Sequence, residues 1–302
     1  MVAQLLQEGG LSLDRLQSFC LVAQAGGVTK AAKGDPAKQS LFSRQIKELE
    51  EFFGTELIRR KGRGVALTEA GERLNIIARE CFASLSDFKS ECKGPPVEVV
   101  LGAGDSVIQW LLIPRLAELR SRIPNVRLKF LNLSTSDAVR RLSDGVIDFA
   151  LVRKDAVIHP LQARSLGVMH YSLFIPATLR GTAGRKNGLK LLDGLPLVTL
   201  EGEGSFRSEL TAITKNQGTK VNIEVECSSF PLAARAVVKG NVAAILPSIA
   251  ANDLRDAGVR EVNVAFLKHF DREMCLASNA RMARIRPILQ HAGTMLAQVC
   301  RF

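Results

Sequence analysis

Aromatic side chains make up only 5% of this 302-residue chain, with one tryptophan and one tyrosine. Histidine is scarcer still. His159, His170, His269 and His291 share no spacing that suits a metal site or a catalytic relay. The six cysteines, at positions 20, 81, 92, 227, 275 and 300, form no CxxC pair, and none stands at zinc spacing from a histidine. They read as free thiols of a reducing compartment, so a cytoplasmic protein is expected. Cys227 follows a candidate strand, but it lacks the adjacent second thiol that a redox pair needs. Long hydrophobic runs are missing too. GNVAAILPSIAAN and SVIQWLLIP fall short of the ~18–20 residues of a membrane span. The first ten residues, MVAQLLQEGG, lack the basic flank and apolar core of a signal peptide. No paired acid and base stand out, and GEGS at 202–205 lacks the lysine and spacing of a phosphate loop. Neither catalytic residues, metal nor cofactor are expected.

Acidic residues are in deficit. Thirty Asp and Glu face 41 Lys and Arg, a net charge of +11. That balance favours a polyanionic partner or an anionic small ligand. The length favours two domains.

What is present begins with three helices. Leu13, Leu16, Phe19, Cys20 and Ala23 recur at helical spacing over 11–25, and Gly26-Gly27 ends the run. Thr29 is positioned to cap a short second helix that Gly34 breaks. A third amphipathic helix follows, with Phe42, Ile46, Leu49 and Phe53 on its apolar stripe and Gly54 at its end. Asp35-Pro36 supplies a cap and a favoured first-turn proline, so this helix is expected to start at Asp35. Leu57-Ile58 and Val65-Ala66-Leu67 then read as short strands around a basic turn, RRKGRG. This is the pattern of a winged helix-turn-helix. With the apolar stripe buried, Ser40, Ser43, Arg44 and Lys47 must face outward. Arg can donate two hydrogen bonds to guanine in the major groove, and Gln39 can pair with adenine. Double-stranded DNA is the expected partner. The candidate contacts are Thr29, Lys38, Gln39, Ser40, Ser43, Arg44 and Lys47 on the helices, and Arg59, Arg60, Lys61 and Arg63 on the wing.

Thr68 caps a long helix, whose apolar positions Leu74, Ile77, Ala78, Cys81, Phe82, Leu85 and Phe88 suit packing against a second helix. GPP at 94–96 ends it. From Val97 strands and helices alternate, with strands expected in VEVVLGA, VRLKFLNL, VIDFALV, HYSLFIP, PLVTLEG, VNIEVEC, VAAILP, VREVNVAF and REMCLASN. The alternation implies an α/β domain with a mostly parallel sheet. Trp110 is expected in the core.

Residues 22–74 resemble the DNA-binding domain of LysR-type transcriptional regulators. Ala31-Ala32, Ser43-Arg44-Gln45-Ile46, Leu49-Glu50, Gly54, Leu57, Arg59-Arg60 and Leu67-Thr68-Glu69-Ala70-Gly71 fall in the family's register without gaps. The resemblance departs over 35–42, where the family's apolar positions and capping serine are replaced by Asp35, Ala37 and Lys38. The second half, through LGAGDSVIQWLLIPRLAEL, LSDGVIDFALV and AVVKGNVAAILP, resembles the family's effector domain.

The resemblance implies an α/β protein with an all-α winged N-terminal domain. A winged helix-turn-helix spans 11–68, a linker and dimerisation helix 69–93, and a two-lobed periplasmic-binding-protein-like effector domain 96–302. Lobe I takes about 97–155 and 268–302, lobe II about 160–265. A small effector would lie between the lobes, in a lining suited to an anion. By register its contacts are Gly104, Asp105, Ser106, Thr135, Ser205 and Phe206, with Arg153 and Arg207 near the inferred cleft. Homodimers or homotetramers are implied, with RNA polymerase as a further partner and no membrane. Two other readings fit the residues: an enzyme on the two-lobed fold, and an architectural DNA-binding protein with a vestigial cleft.

Overall fold

The computed structural model describes residues 9–61, 64–93, 96–179, 188–202, 204–216 and 218–302. They divide into two units, one ending with the long helix at residue 93 and one beginning at 96.

In the first unit, Ser12 accepts from the Arg15 amide and starts α1, Leu13–Ala25, which Gly26 closes at φ +67. Helix α2 is Val28–Ala31, with Gly27 at its N-cap, so Thr29 lies inside the helix rather than capping it. Helix α3 is Pro36–Phe53. Strands β1, Ile58–Lys61, and β2, Gly64–Leu67, pair antiparallel as the wing. Helix α4, Glu69–Lys93, follows. Thr68 caps it, accepting from the Gly71 amide at 3.0 Å while donating to the Glu56 carbonyl at 2.6 Å. Phe19, Val22, Ile46, Leu49, Leu57, Leu74 and Ala78 form the core. Gly71 is required by contact. A Cβ there would stand 2.0 Å from the Leu57 carbonyl oxygen, so only glycine lets α4 lie this close to the start of the wing.

The second unit opens with β3, Val97–Ala103. A helix starts at Asp105, widens to a π-turn over Ile108–Leu112, tightens at Ile113–Arg115 and continues as α5, Leu116–Arg122. Then come β4 Val126–Asn132, α6 Thr135–Ser143, β5 Phe149–Arg153, β6 Leu161–Met169 and β7 Tyr171–Ile175. They are followed by β8 Pro196–Leu200, α7 Ser205–Asn216, β9 Asn222–Cys227, α8 Phe230–Lys239 and β10 Ala244–Pro247. The chain closes with α9 Ala251–Asp256, β11 Arg260–Val262, β12 Arg272–Asn279, α10 Ala280–Ile285 and α11 Pro287–Val299.

The first lobe carries a five-stranded sheet in the order β4-β3-β5-β12-β6. Strand β12 runs antiparallel to both β5 and β6. The second lobe holds an antiparallel β10-β7-β11 sheet and the parallel pair β8-β9, bridged by Leu197 and Ala243. The expectation of a mostly parallel sheet is therefore corrected: both lobes are mixed. The chain leaves the first sheet along β6 and returns along β12, and a returning strand beside the departing one must run the other way. Strand β6 also moves the lobe boundary. Residues 161–169, expected in lobe II, belong to the first sheet.

Trp110 is buried as expected, but its surroundings are in the second lobe. The helix that carries it springs from β3 of the first sheet, yet the indole packs with Phe174, Val198, Val237 and Leu246. Its Nε1 donates to Asp253 at 3.1 Å.

One ion pair fixes the first lobe internally. Arg286 and Asp148, both nearly inaccessible, pair directly. Asp148 also accepts from the Val100 amide at 2.8 Å, and Arg286 donates to the Glu98 carbonyl at 3.0 Å. Removing one partner strands the other charge without solvent, at a cost of about 3–5 kcal/mol. Asp148→Ala should lower the midpoint of thermal unfolding of this unit by about 10 °C. Adding Arg286→Met should recover much of that loss, as followed by circular dichroism.

Candidate nucleic-acid interface and ligand cleft

Helix α3 starts where the capping chemistry requires. Asp35 accepts from the Ala37 and Lys38 amides at 2.9 and 3.2 Å, and Pro36 fills the first turn. Gly54, at φ +63, ends it by donating back to the Glu50 and Glu51 carbonyls. Ile46 and Leu49 are sealed in the core. Phe42 is half-buried against it, but Phe53 is 39% exposed. The expectation that Phe53 completes the buried stripe is corrected. It lies a turn beyond Leu49, the last fully buried position, and packs edge-on against Phe52.

The opposite side carries the expected set. Lys38, Ser40, Ser43, Arg44 and Lys47 are all exposed. Gln39 is half-buried and accepts from the Thr29 hydroxyl at 3.3 Å, which ties α2 to the recognition face. Arg44 stands 3.7 Å from Glu48, but Glu48 is held more closely by Arg15, at 2.5 Å. Lys47 and Glu51 are also 3.7 Å apart. Such open pairs along a helix are worth only about 0.3–0.5 kcal/mol. Arg44 and Lys47 are therefore available to a stronger acceptor such as a base edge or a phosphate. Arg59, Arg60 and Lys61 are exposed on the wing. Arg63 lies outside the described residues. Farther along, Leu74 and Ala78 belong to the core, whereas Ile77, Cys81, Leu85 and Phe88 of α4 remain exposed.

The second unit contains a cavity of about 900 Å³ between its lobes. Gly104, Ser106, Thr135, Arg153 and Phe206, all singled out from sequence, line it. Asp105 does not; its carboxylate accepts from the Ser106 amide at 2.7 Å. Ser205 opens α7, and its side chain lies outside what the structure describes. Arg207 points elsewhere and pairs with Glu226 at 3.0 Å.

Sequence reasoning missed Arg140, Tyr171, Phe230 and Arg272, which also line the cavity. Ser134 and Ser136, beside the predicted Thr135, complete a hydroxyl cluster there. Three arginines thus meet three aromatic rings, and among the described residues no carboxylate is part of the lining. Tyr171 stacks on Phe206 with centroids 5.7 Å apart, and Phe230 meets Phe206 edge-on. Burial pushes the Tyr171 phenol up to about 12, so it remains protonated and able to donate. Burial first, and then the Glu201 carboxylate, raises the Cys227 thiol, which works against a reactive thiolate.

Residues 13–72 match the bacterial regulatory helix-turn-helix domain of the lysR family, and residues 93–300 match the LysR substrate binding domain. The chain belongs to the LysR family. Membership removes the enzyme alternative. A probable nitrogen assimilation transcriptional activator of Synechococcus elongatus is 33% identical over 146 residues, 47% of each chain. The HTH-type transcriptional regulator AlsR of Bacillus subtilis is 25% identical over 249 residues, 80% of this chain and 82% of that one. The chain thus spans about half the length of the first of these relatives. Among solved structures, a full-length OxyR variant from Pseudomonas aeruginosa superposes with a TM-score of 0.65 at 19% identity, covering 95% of both chains. LysG from Corynebacterium glutamicum, with bound effector arginine, gives 0.60 at 16% identity over 93% of this chain and 98% of that one. At these identities the likeness is one of fold. No helix among the described residues is long and apolar enough to cross a membrane.

The Asp35 cap gives the recognition helix a testable start. Asp35→Ala should destabilise the first unit by about 1 kcal/mol, and Asp35→Ser should restore most of it, in denaturant titrations followed by circular dichroism.

Proposed function

We propose that the protein is a sequence-specific DNA-binding transcriptional regulator, controlled by an anionic small molecule held between the lobes of its second unit. One observation carries the DNA half: Ile46 and Leu49 fix the rotation of α3 so that Ser40, Ser43, Arg44 and Lys47 face solvent together, with the cations of the wing in the same unit. In this reading α3 enters the major groove, Arg44 reads a base edge, and Arg59, Arg60 and Lys61 hold phosphates. The exposed row Ile77, Leu85 and Phe88 on α4 supports pairing with a second copy, as a homodimer or a tetramer built from dimers. Action in the cytoplasm and contact with RNA polymerase belong to the same reading. The ligand half is supported by the arginine-rich lining of the cavity, in which no described residue is a carboxylate.

Genome-wide mapping of the tagged protein supplies the operator, and anisotropy titrations then test the roles. Arg44→Ala should cost about 1–3 kcal/mol on the operator and little on random duplex. Arg60→Ala should weaken both and reduce the salt slope by about 1. Normal operator binding by Arg44→Ala would overturn the assignment of α3.

A second measurement separates an effector-controlled regulator from an architectural protein with a vestigial cleft. A panel of small carboxylates, screened by thermal unfolding, should contain members that stabilise the chain by up to about 2.7 kcal/mol at one hundred times their Kd. A flat response to every anion in the panel would favour the architectural reading.

A further inference from the structure

Arg272 stands where the lobes join. It is the first residue of β12, and its ladder partner is Met169, the last residue of β6. The two connections between the lobes therefore run side by side, at 169–171 and at 270–272. Glu209 belongs to α7, a helix of the second lobe. The Arg272 guanidinium meets the Glu209 carboxylate at 2.5 Å, so this pair ties a second-lobe helix to a first-lobe strand.

The two partners are held unequally. Arg272 is 16% exposed and also donates to the His269 and Asp271 carbonyls, at 3.2 and 3.0 Å. Glu209 is 36% exposed, and Arg272 is its only ion-pair partner among the described residues. The cation is fixed by backbone, while the anion can leave.

The pair also stands at a boundary. Arg153 and Arg272 line both the 900 Å³ cavity and a neighbouring hollow of about 550 Å³, whereas Glu209 lines only the hollow. Arg272 Nη1 is committed to the His269 and Asp271 carbonyls, so a carboxylate arriving through the cavity would compete for Nη2, the nitrogen that Glu209 holds. Exchanging one carboxylate for another on a guanidinium keeps the charge count, so little electrostatic energy is lost. The favourable balance would come from apolar surface laid against Tyr171, Phe206 and Phe230.

We infer that Glu209 is a resident stand-in for the effector, and that the effector is a carboxylate with a flat apolar ring. It binds by taking Glu209's place on Arg272, which releases α7 from β12. The inference rests on the anionic-ligand reading above and adds to it the shape of the ligand and an internal competitor.

The test uses the full-length protein with benzoate, phenylacetate and 3-phenylpropionate, and with their neutral amides as controls. Trp110 is the only tryptophan, and its indole joins the first-lobe helix to the second-lobe core, so its fluorescence reports on the interlobe contact. Titration calorimetry supplies the Kd. The wild-type protein should bind at least one of the acids and none of the amides. Glu209→Gln should bind that acid roughly 3- to 10-fold tighter, because the competitor is gone. Glu209→Asp, one methylene shorter, should fall between the two and serves if the first variant does not fold. Arg272→Lys should bind at least ~10-fold more weakly. If the acid binds but both Glu209 variants match or fall below wild type, the competition is overturned and the anionic-ligand reading survives. If no acid binds to wild type or to either Glu209 variant, the ring-bearing carboxylate is overturned, and the anionic-ligand reading is decided by the wider panel described above. Equal binding of acid and amide overturns the carboxylate as the recognised group.

Discussion

A helix can offer one side to a groove only when its other side is held against rotation. In α3 that hold is provided by Ile46 and Leu49, buried against Phe19, Val22 and Leu57. Two fully buried aliphatic side chains contribute about 3–6 kcal/mol in total, roughly five times the combined worth of the loose pairs Arg44–Glu48 and Lys47–Glu51. Burial therefore sets the angle of the helix, and the charges follow it. The wing is placed by the same core. Leu57 lies beneath Gly71 at a distance no other residue would permit, so the basic strand leaves from a fixed point.

The second unit uses ion pairs in two ways, and solvent access separates them. Arg286 and Asp148 are almost fully excluded from water and anchored to backbone groups of β3, and breaking that pair costs several kcal/mol. It makes the first lobe a rigid frame. Arg272–Glu209 is short but partly open, with Glu209 in no other ion pair among the described residues, so its net worth is nearer that of a surface pair. A ligand that couples two arrangements by about 1–3 kcal/mol can overcome the second kind and not the first. On the proposed reading, lobe motion would be centred at the paired connections near 170 and 271.

Local chemistry was legible in the sequence wherever a residue's neighbours along the chain decide its role. Asp35-Pro36, Gly54 and Thr68 could be read as helix signals because a cap acts within three residues. The strand through Tyr171 was legible from its apolar run. Strand β6 was not, since LQARSLGVM carries Gln162, Arg164 and Ser165 on exposed positions and bends at Gly167. Its only credential is the neighbour β12, more than a hundred residues away. Arg272 and Phe230 escaped for the same reason: each enters the cavity through a pairing or a helix position with no local motif. Ser106 and Thr135 were found because the family resemblance already placed them in register.

The shape of α4 extends the logic of α3 to the assembly. Its first turns are spent on the unit's own core through Leu74 and Ala78, while Ile77, Leu85 and Phe88 continue an apolar row into solvent. A single recognition helix offers only three or four side chains to base edges, and each good bidentate pair discriminates by about 1–3 kcal/mol. That falls short of the several kcal/mol by which specific sites are preferred over the rest of a genome. Covering the row on α4 with a second copy would double the readout, because each copy brings its own α3 and fixes the spacing of the half-sites. The apolar surface left open on α4 and the limited reading power of α3 would therefore be two sides of one requirement, and under the proposed function a single partner of identical sequence would satisfy both.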